Sequence, residues 1–274
     1  MSIVDQTWPQ IELIVIDDAS HDGSFRMAEE FGQNSWVGDR FTRIVVERNA
    51  RNLGAAATIN KAISLSTGEA LMVVNSDDLY APTRVERCGQ AIASGRQLIF
   101  TNVEFIDADG RPAFGQQVAS FKSALDAIGN YPTVSTAFIQ MNRAISSGNL
   151  CFTPKLYNTV GQFINLKYCH DWDFVLSCTL ETEPEYINEK LYYYRLHEDN
   201  SFKALLSKGQ LETRTCLERY FNRVVSRAVA NSALRAIIEA ETLWEGLLSH
   251  SGSVIEQEWQ RANDGMPPRA YIDE

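Results

Sequence analysis

The first half of the chain alternates short apolar runs with segments of helical spacing. The apolar runs, rich in Ile, Val and Leu, are "IELIVIDD", "RIVVERN", "ALMVVNSDD" and "RQLIFTN". Their lack of polar alternation is typical of strands that are covered on both faces of a parallel sheet. The predicted helices between them are "FRMAEEF", capped by Ser24, "AAATINKAISLST" and "TRVERCGQAIAS", which stop at Gly32, Gly68 and Gly95. The alternation predicts a doubly wound, mostly parallel α/β fold.

Composition limits the classes of protein to which the chain can belong. With 274 residues, of which 45% are hydrophobic, it can bury a substantial core. Its net charge of −10 argues against a protein whose main task is to bind nucleic acid. No apolar run is long enough to form a transmembrane segment. The five cysteines form no CxxC pair and no zinc spacing, so we expect a cytoplasmic protein.

Pairs of acids follow two of the predicted strands. Asp17 and Asp18 come after the first apolar run, and Asp77 and Asp78 come after the third. One such pair alone is typical of a turn or a helix cap. Two pairs at equivalent ends of neighbouring strands indicate a site, because ligands of open α/β sheets bind outside the carboxyl ends of the strands. Carboxylates without a His–Cys cluster favour Mg²⁺ or Mn²⁺ over zinc.

Four segments, in order, resemble family 2 glycosyltransferases. They are "SIVDQTWPQIELIVIDDASHDGS", "NLGAAATINKAISLSTGEALMVVNSDDLYAP", "HDWDF" and "YYYRLHEDNS". The second ends in a sequence similar to the Asp-x-Asp motif of that family. The third is similar to its Glu-Asp-Trp segment and the fourth to its Tyr-Arg-x-His segment. The resemblance covers most of residues 2–202.

The resemblance implies a GT-A fold over residues 1–203 and an inverting, metal-dependent transferase. The donor would be a nucleotide sugar, usually linked to UDP, and the metal would be Mn²⁺ or Mg²⁺. The acceptor would be a hydroxyl of a sugar or a lipid-linked molecule in polysaccharide or glycoconjugate biosynthesis. The two alternatives from other classes are a catalytically impaired relative that binds the nucleotide sugar and a metal-dependent nucleotidyltransferase on a similar sheet.

The resemblance also implies roles for individual residues. Asp171 matches the catalytic base, and Asp18 matches the residue that hydrogen-bonds the nucleotide base. Asp77 and Asp78 match acids that touch the ribose and bind the metal, without fixing which of them is the metal ligand. The predicted nucleotide-sugar-binding residues are Asp17, Asp18, Ser20, Asn60, Asn75 and Asp77. The predicted metal ligands are Asp77, Asp78 and His197.

Chemistry explains why a single base is needed. Inversion by single displacement requires one group to take the proton of the acceptor hydroxyl, and it needs no carboxylate nucleophile. Asp171 opens a predicted helix, "WDFVLSCTLE", whose dipole is expected to keep its carboxylate ionised at neutral pH. Taken alone, Asp171 is more typical of a helix N-cap than of a catalytic base.

The sequence departs from the family pattern at several positions. Asn75 stands where the first acid of Asp-x-Asp is usual, His170 replaces the Glu before the base, and Ile59 replaces a common Arg. The strand and helix with which family members begin are also missing. We expect that the neighbours of this missing strand have unpaired backbone groups, and that restoring an upstream strand increases activity.

Residues 204–274 are predicted to form a C-terminal helical extension outside the resemblance. Apolar residues recur there at helical intervals, which predicts two helices that pack on the catalytic domain. A homodimer contact through these helices and a peripheral contact with the inner face of the membrane are alternatives. The acidic charge balance does not favour binding to anionic lipid.

Overall fold

The strands in the described part of the chain form two separate sheets. The computed structural model describes residues 2–196, 206–226, 228–250 and 253–266. Its strands are β1 (Glu12–Asp17), β2 (Arg43–Arg48), β3 (Leu71–Met72), β4 (Leu79–Tyr80), β5 (Leu98–Ile106), β6 (Cys151–Phe152) and β7 (Glu185–Arg195). β1 and β2 form a parallel pair, and the other strands form a sheet with the order β3-β6-β5-β7-β4. Within the described residues, β1, β2, β3 and β4 are each paired along one edge only.

Helices pack around these sheets and confirm the α/β class. They are α1 (Ser24–Gly32), α2 (Ser35–Arg40), α3 (Ala55–Leu65), α4 (Arg84–Ala93), α5 (Gln116–Asp126), α6 (Val134–Gln140), α7 (Pro154–Val160), α8 (His170–Thr179), α9 (Leu206–Val225), α10 (Ser232–Glu239), α11 (Glu241–His250) and α12 (Ser253–Asn263). The three helices predicted for the first half are present. Ser24 is the first residue of α1, and the residue at the cap position is Gly23. The Ser24 N–H and hydroxyl donate hydrogen bonds to the Asp22 carboxylate.

The prediction of a mostly parallel sheet is wrong for the five-stranded sheet, which is mixed. β5 and β7 run parallel, whereas β3–β6, β5–β6 and β4–β7 are antiparallel pairs. The reason lies in the predicted strand over residues 70–78, which leaves the sheet after Met72. Residues 73–78 form a link, and the chain then rejoins the sheet as β4 at its other edge. The acid pair Asp77–Asp78 therefore lies in the link between the two edge strands.

The C-terminal helices share one hydrophobic core with the rest of the chain. Phe174 of α8 stacks on Phe163, with ring centroids 4.1 Å apart. Leu217 and Phe221 of α9 are fully buried in the same cluster. In the described part of residues 204–274 the chain forms the four helices α9 to α12, where two were predicted. The predicted domain boundary at 203/204 lies outside the described residues. None of the helices in the described part of the chain has the length and hydropathy needed to cross a membrane.

A buried polar network fixes the sheet beside the link. The Asn149 side chain is fully buried, and its Nδ2 donates to the carbonyl oxygens of Thr101 and Ala144 at 2.8 and 3.0 Å. Its Oδ1 accepts from the Thr101 N–H at 3.1 Å and from the Thr101 hydroxyl at 3.0 Å. The guanidinium of Arg84 donates to the Asn149 carbonyl oxygen at 2.9 Å and lies 4.5 Å from the centroid of the Tyr80 ring. Asn149 therefore joins β5 to the segment that precedes β6.

We expect Asn149→Ala to destabilise the fold strongly. The change would leave the Thr101 N–H and two carbonyl oxygens without their partner, and each buried unsatisfied group costs about 1–3 kcal/mol. Urea unfolding would measure the loss of free energy of unfolding. Asn188→Ala is the matched control, because Asn188 is exposed on β7 and bonds with the Asn102 side chain. An equal effect of both changes would contradict this reading of the network.

Candidate active site

Asp78 is the buried member of the acid pair. Its side chain is 4% exposed, and its Oδ1 accepts a hydrogen bond from the Arg195 N–H at 2.8 Å. Its Oδ2 accepts from the Asn75 Nδ2 at 2.9 Å and from the Tyr192 hydroxyl. Burial raises the pKa of Asp78 to about 6, although these hydrogen bonds act in the opposite direction. Both oxygens are thus engaged in tying the link to β7.

Asp77 differs from its neighbour because it is partly exposed. Its backbone is held in place by the Arg195 guanidinium, whose Nε donates to the Asp77 carbonyl oxygen at 2.7 Å. The same guanidinium donates from Nη1 to the Asp107 carbonyl oxygen at 2.8 Å, which joins the link to the loop after β5. The Asp77 carboxylate is therefore the more accessible of the two to a cation or a nucleotide.

Asn75 and Ser147 connect this acid pair to Asp171. The Asn75 Nδ2 donates to the Ser146 hydroxyl oxygen at 2.8 Å, and its Oδ1 accepts from the Ser147 hydroxyl at 3.3 Å. The backbone of Ser147 in turn faces the Asp171 carboxylate and acts to lower its pKa. Two of the motifs that the sequence suggested are thus brought together by the segment before β6.

Asp171 lies in the first turn of α8 and is 8% exposed. Its Oδ1 accepts from the Trp172 N–H at 2.8 Å, and its Oδ2 accepts from the Asn142 Nδ2 at 3.0 Å. Burial raises the pKa of Asp171 above its ordinary value, although backbone hydrogen bonds act in the opposite direction. That the helix dipole keeps this carboxylate ionised at neutral pH stays a prediction. A raised pKa suits a carboxylate that must accept a proton.

The first acid pair lies in the turn after β1. The Asp18 carboxylate accepts from the Leu53 and Gly54 N–H groups and from the Asn49 Nδ2, all at 2.8 Å. Burial raises the pKa of Asp18, but these hydrogen bonds outweigh it and lower the pKa below its ordinary value. Gly54 has a φ of 85°, a conformation that favours glycine, so the start of α3 can present its N–H to this carboxylate.

Asp17 and Ser20 fix the shape of that turn. The Asp17 Oδ1 accepts from the Ser20 N–H at 3.1 Å and pairs with the Arg48 Nε, also at 3.1 Å. Between them, Ala19 has a φ of 64°, which is uncommon for a residue with a side chain. The structure thus gives Asp17 and Ser20 contacts within the turn, and their predicted contact with a nucleotide stays a prediction.

Asn60 makes its contacts with a loop of the chain itself. Its Nδ2 donates to the Phe163 carbonyl oxygen at 2.8 Å, and its Oδ1 accepts from the Phe163 N–H at 3.0 Å. The Tyr157 hydroxyl also donates to that Oδ1. Asn60 therefore holds the loop that leads into α8, and its predicted contact with the donor stays a prediction. His197 lies outside the described residues.

The donor set near the link fits a divalent cation that shares its ligands with a substrate. Among the described residues, no three His, Cys, Asp or Glu side chains are grouped to hold a metal ion. Mg²⁺ is usually held by one or two carboxylates together with substrate phosphates, so a cage made only of protein is not required. Asp77 fits this arrangement, whereas the Asp78 oxygens are already engaged by three donors.

Several residues of the site were missed by sequence reasoning. Tyr192 and Arg195 lie in the segment that resembles Tyr-Arg-x-His, so a signal for their region existed, but not for their bonds to the link. Asn142 and Ser147 lie in a stretch without a recognised motif. Only the folded chain shows that Asn142 donates to the Asp171 carboxylate and that the backbone of Ser147 acts on its pKa.

Comparison with known proteins identifies the family. The sequence model described as "Glycosyl transferase family 2" matches residues 1–158. The chain belongs to this family. An uncharacterized glycosyltransferase of Methanocaldococcus jannaschii is 23% identical over 230 residues, which are 80% of this chain and 72% of the relative. The glycosyltransferase GlyG of Streptococcus pneumoniae is 26% identical over 203 residues, 70% of this chain and 64% of GlyG.

Solved structures confirm the GT-A glycosyltransferase fold of this family 2 member. The structure of S. aureus TarS 1-349 in complex with UDP-GlcNAc matches with a TM-score of 0.57 and 15% identity, over 98% of this chain and 87% of that chain. The mannosyltransferase PcManGT from Pyrobaculum calidifontis, in complex with GDP-Man and Mn²⁺, has a TM-score of 0.58 and 14% identity. That match covers 95% of this chain and 68% of PcManGT.

We expect the raised pKa of Asp78 to appear in the pH dependence of stability. Its pKa is about 6 in the folded protein and ordinarily 3.8, so between these values the folded state retains a proton that the unfolded state has lost. The stability contributed by this proton is therefore lost as the pH rises from about 4 to about 6, by about 3 kcal/mol in all. Urea unfolding of the wild type and Asp78→Asn at several pH values would measure the difference.

The pH dependence of the free energy of unfolding in Asp18→Asn is the control, and we expect the change from the wild type to have the opposite sign. The lowered pKa of Asp18 contributes stability that is present at neutral pH and is lost as the pH falls. Parallel pH curves for the wild type and Asp78→Asn would contradict the assignment of the raised pKa to Asp78.

Proposed function

We propose that the chain transfers a sugar from a UDP-linked donor to an acceptor hydroxyl, with inversion at the anomeric carbon. The observation that carries the proposal is the connection of the acid-pair link to Asp171 through Asn75 and Ser147. A donor diphosphate near Asp77 and an acceptor near Asp171 would lie on the two sides of this connection. Inverting transfer requires such a separation, because the base and the leaving group act on opposite faces of the sugar.

Asp171 is proposed as the general base. It takes the proton of the acceptor hydroxyl while the new C–O bond forms and the bond between the sugar and UDP breaks. The hydrogen bonds from Asn142 and the Trp172 N–H orient its carboxylate, so little reorganisation is needed during transfer. The raised pKa makes it a stronger base than an exposed aspartate.

Asp77 is proposed as the residue that holds Mn²⁺ or Mg²⁺ against the diphosphate of the donor. When bound, the metal would neutralise the negative charge that develops on the leaving diphosphate. The choice of Asp77 over Asp78 rests on the partial exposure of Asp77 and on the internal hydrogen bonds of Asp78. Asp78 and His197 remain ligands predicted by the resemblance alone.

The nucleotide is proposed to bind beside the turn after β1. The Asp18 carboxylate is ionised and held by three donors, so it offers a fixed acceptor for an N–H of the nucleotide base. Asp17, Ser20, Asn60 and Asn75 are proposed to shape the pocket. UDP is favoured because TarS was solved with UDP and with UDP-GlcNAc, whereas GDP-Man in PcManGT is the alternative.

The acceptor is proposed to be a sugar or a lipid-linked sugar in polysaccharide or glycoconjugate biosynthesis. The five cysteines are buried and form no disulfide, which suits the cytoplasm. A second candidate function is binding of the nucleotide sugar without turnover. It is favoured by Asn75, whose neutral amide replaces an acid and is engaged with Ser146, Ser147 and Asp78.

The choice between Asp77 and Asp78 as metal ligand can be tested with the two asparagine variants. We expect Asp77→Asn to lose the Mn²⁺-dependent part of UDP binding with little change in stability, because its side chain is partly exposed. Asp78→Asn places an amide N–H against groups that now donate to a carboxylate, so it should unfold at lower urea concentration. Titration calorimetry with UDP and Mn²⁺, together with urea unfolding, measures both effects. Unchanged UDP binding in Asp77→Asn would contradict the assignment.

The role of Asp171 can be tested by turnover. We expect Asp171→Asn to lower the release of UDP from UDP-GlcNAc about 10²–10⁴-fold, the usual contribution of a general base. UDP affinity should be retained, because the base acts on the acceptor side. In the wild type, the rate should fall as the pH drops below the raised pKa of Asp171, and the variant should lose this dependence.

The same measurements separate the candidate functions. Stabilisation of the wild type by UDP and Mn²⁺ without any sugar transfer or UDP release would support the binding protein and exclude the transferase. Loss of UDP affinity in Asp171→Asn would indicate that Asp171 is a structural helix cap.

A further inference from the structure

A carboxylate from the C-terminal helices contacts the start of the helix that bears Asp171. Glu212 of α9 is 2% exposed. Its Oε1 accepts from the Lys167 N–H at 2.9 Å, and its Oε2 accepts from the Tyr168 and Cys169 N–H groups at 2.7 and 2.9 Å. These three N–H groups are consecutive and directly precede α8, so one rigid side chain fixes the backbone from which the helix begins.

Two more side chains of α9 hold α8 along its length. The Arg219 Nε lies 2.9 Å from the Asp173 Oδ1 in the first turn of α8. The Arg223 Nη2 lies 2.8 Å from the Glu181 Oε1, just after the end of α8. Glu212, Arg219 and Arg223 therefore contact the approach, the first turn and the end of the same helix. The position of α8 relative to α9 is thus fixed at both ends.

The geometry is relevant to Asp171 because that residue follows Cys169 by two positions. On its other side, the Asp171 carboxylate accepts a hydrogen bond from the Asn142 Nδ2, at 3.0 Å, in the segment before β6. The carboxylate therefore keeps its place only while the start of α8 and that segment stay in register. Displacements of about 1 Å at a reacting group can lower a rate about 10²-fold.

A buried carboxylate needs compensation for the hydration that it loses, and charge-assisted hydrogen bonds from three backbone N–H groups provide it. A serine or threonine at a helix start accepts one such bond in the usual cap. Glu212 instead comes from a distant part of the sequence, 43 residues beyond Cys169. It thus joins the C-terminal helices to the loop before α8.

We propose that Glu212 is a positioning residue for Asp171, and that the C-terminal helices are in this way part of the catalytic apparatus. The inference rests on the proposed function, in which Asp171 is the base. Glu212 lies beyond residues 1–158, which match the family.

The test compares three variants of the whole chain. Glu212→Gln keeps the size of the side chain, but its amide N–H₂ confronts the backbone N–H groups. Glu212→Asp keeps the carboxylate and shortens the side chain by one methylene. Glu218→Gln is the matched control, because Glu218 is a buried carboxylate on the same helix whose Oε1 lies 3.4 Å from the Arg261 Nη2 of α12.

For each variant, release of UDP from UDP-GlcNAc gives kcat and KM, titration gives the Kd of UDP, and hydrogen exchange reports on the amides of residues 167–169. We expect Glu212→Gln to lower kcat about tenfold or more, with an unchanged KM and Kd, and to accelerate exchange at these amides. Glu212→Asp should restore part of kcat. Glu218→Gln should leave kcat and the exchange of residues 167–169 as in the wild type, even if its midpoint of urea unfolding falls.

Three results would overturn the inference. The first is unchanged amide exchange at residues 167–169 in Glu212→Gln. The second is faster exchange with an unchanged kcat, and the third is a loss of kcat that Glu218→Gln reproduces. If the wild type releases no UDP, the proposed function fails and the catalytic role of Glu212 fails with it. The exchange data then still decide whether Glu212 holds the start of α8.

Discussion

The site depends on one buried carboxylate. Asp78 accepts hydrogen bonds from Tyr192, Arg195 and Asn75, and through them the link between β3 and β4 is fixed to β7. A charge in this position is costly unless it is fully bonded. The three donors therefore restrict the link to one conformation. In this conformation the backbone of Asp77 is held in place and the Asn75 side chain is bonded to Ser147. A flexible link would not hold Asp77 at a constant position relative to Asp171.

Close packing around Asp78 and its hydrogen-bond donors also restricts the link to one conformation. A Cβ on Gly148 would lie 2.3 Å from the Tyr192 hydroxyl oxygen and 3.1 Å from the Asn75 Nδ2. A glycine is needed here because the backbone passes directly against the groups that bind Asp78. The backbone of the segment before β6 can therefore approach the link closely enough for the Ser147 hydroxyl to donate to the Asn75 Oδ1.

Much of the fold could be predicted from the sequence, because the apolar period and the glycine stops are local signals. They placed α1, α3, α4, β1 and β2 within a few residues, and the motif resemblance gave the fold family. The end of β3 could not be predicted from local signals. The apolar run "ALMVVN" continues beyond Met72, but the hydrogen bonds of Asn75 and Asp78 hold the chain outside the sheet. The contacts of Asn142, Ser147 and Glu212 with α8 and its approach join positions far apart in sequence, and no pattern in one sequence encodes them.

The pairing of α8 with α9 has a consequence for how such chains can diverge. The Arg219–Asp173 and Arg223–Glu181 ion pairs cross between the two helices, and Leu217 and Phe221 fill the core beneath α8. A substitution on one helix therefore changes what the other can accept, and we expect the two to vary together among relatives. The C-terminal helices could therefore not be exchanged alone. Helices grafted from another glycosyltransferase would function only together with a compatible α8.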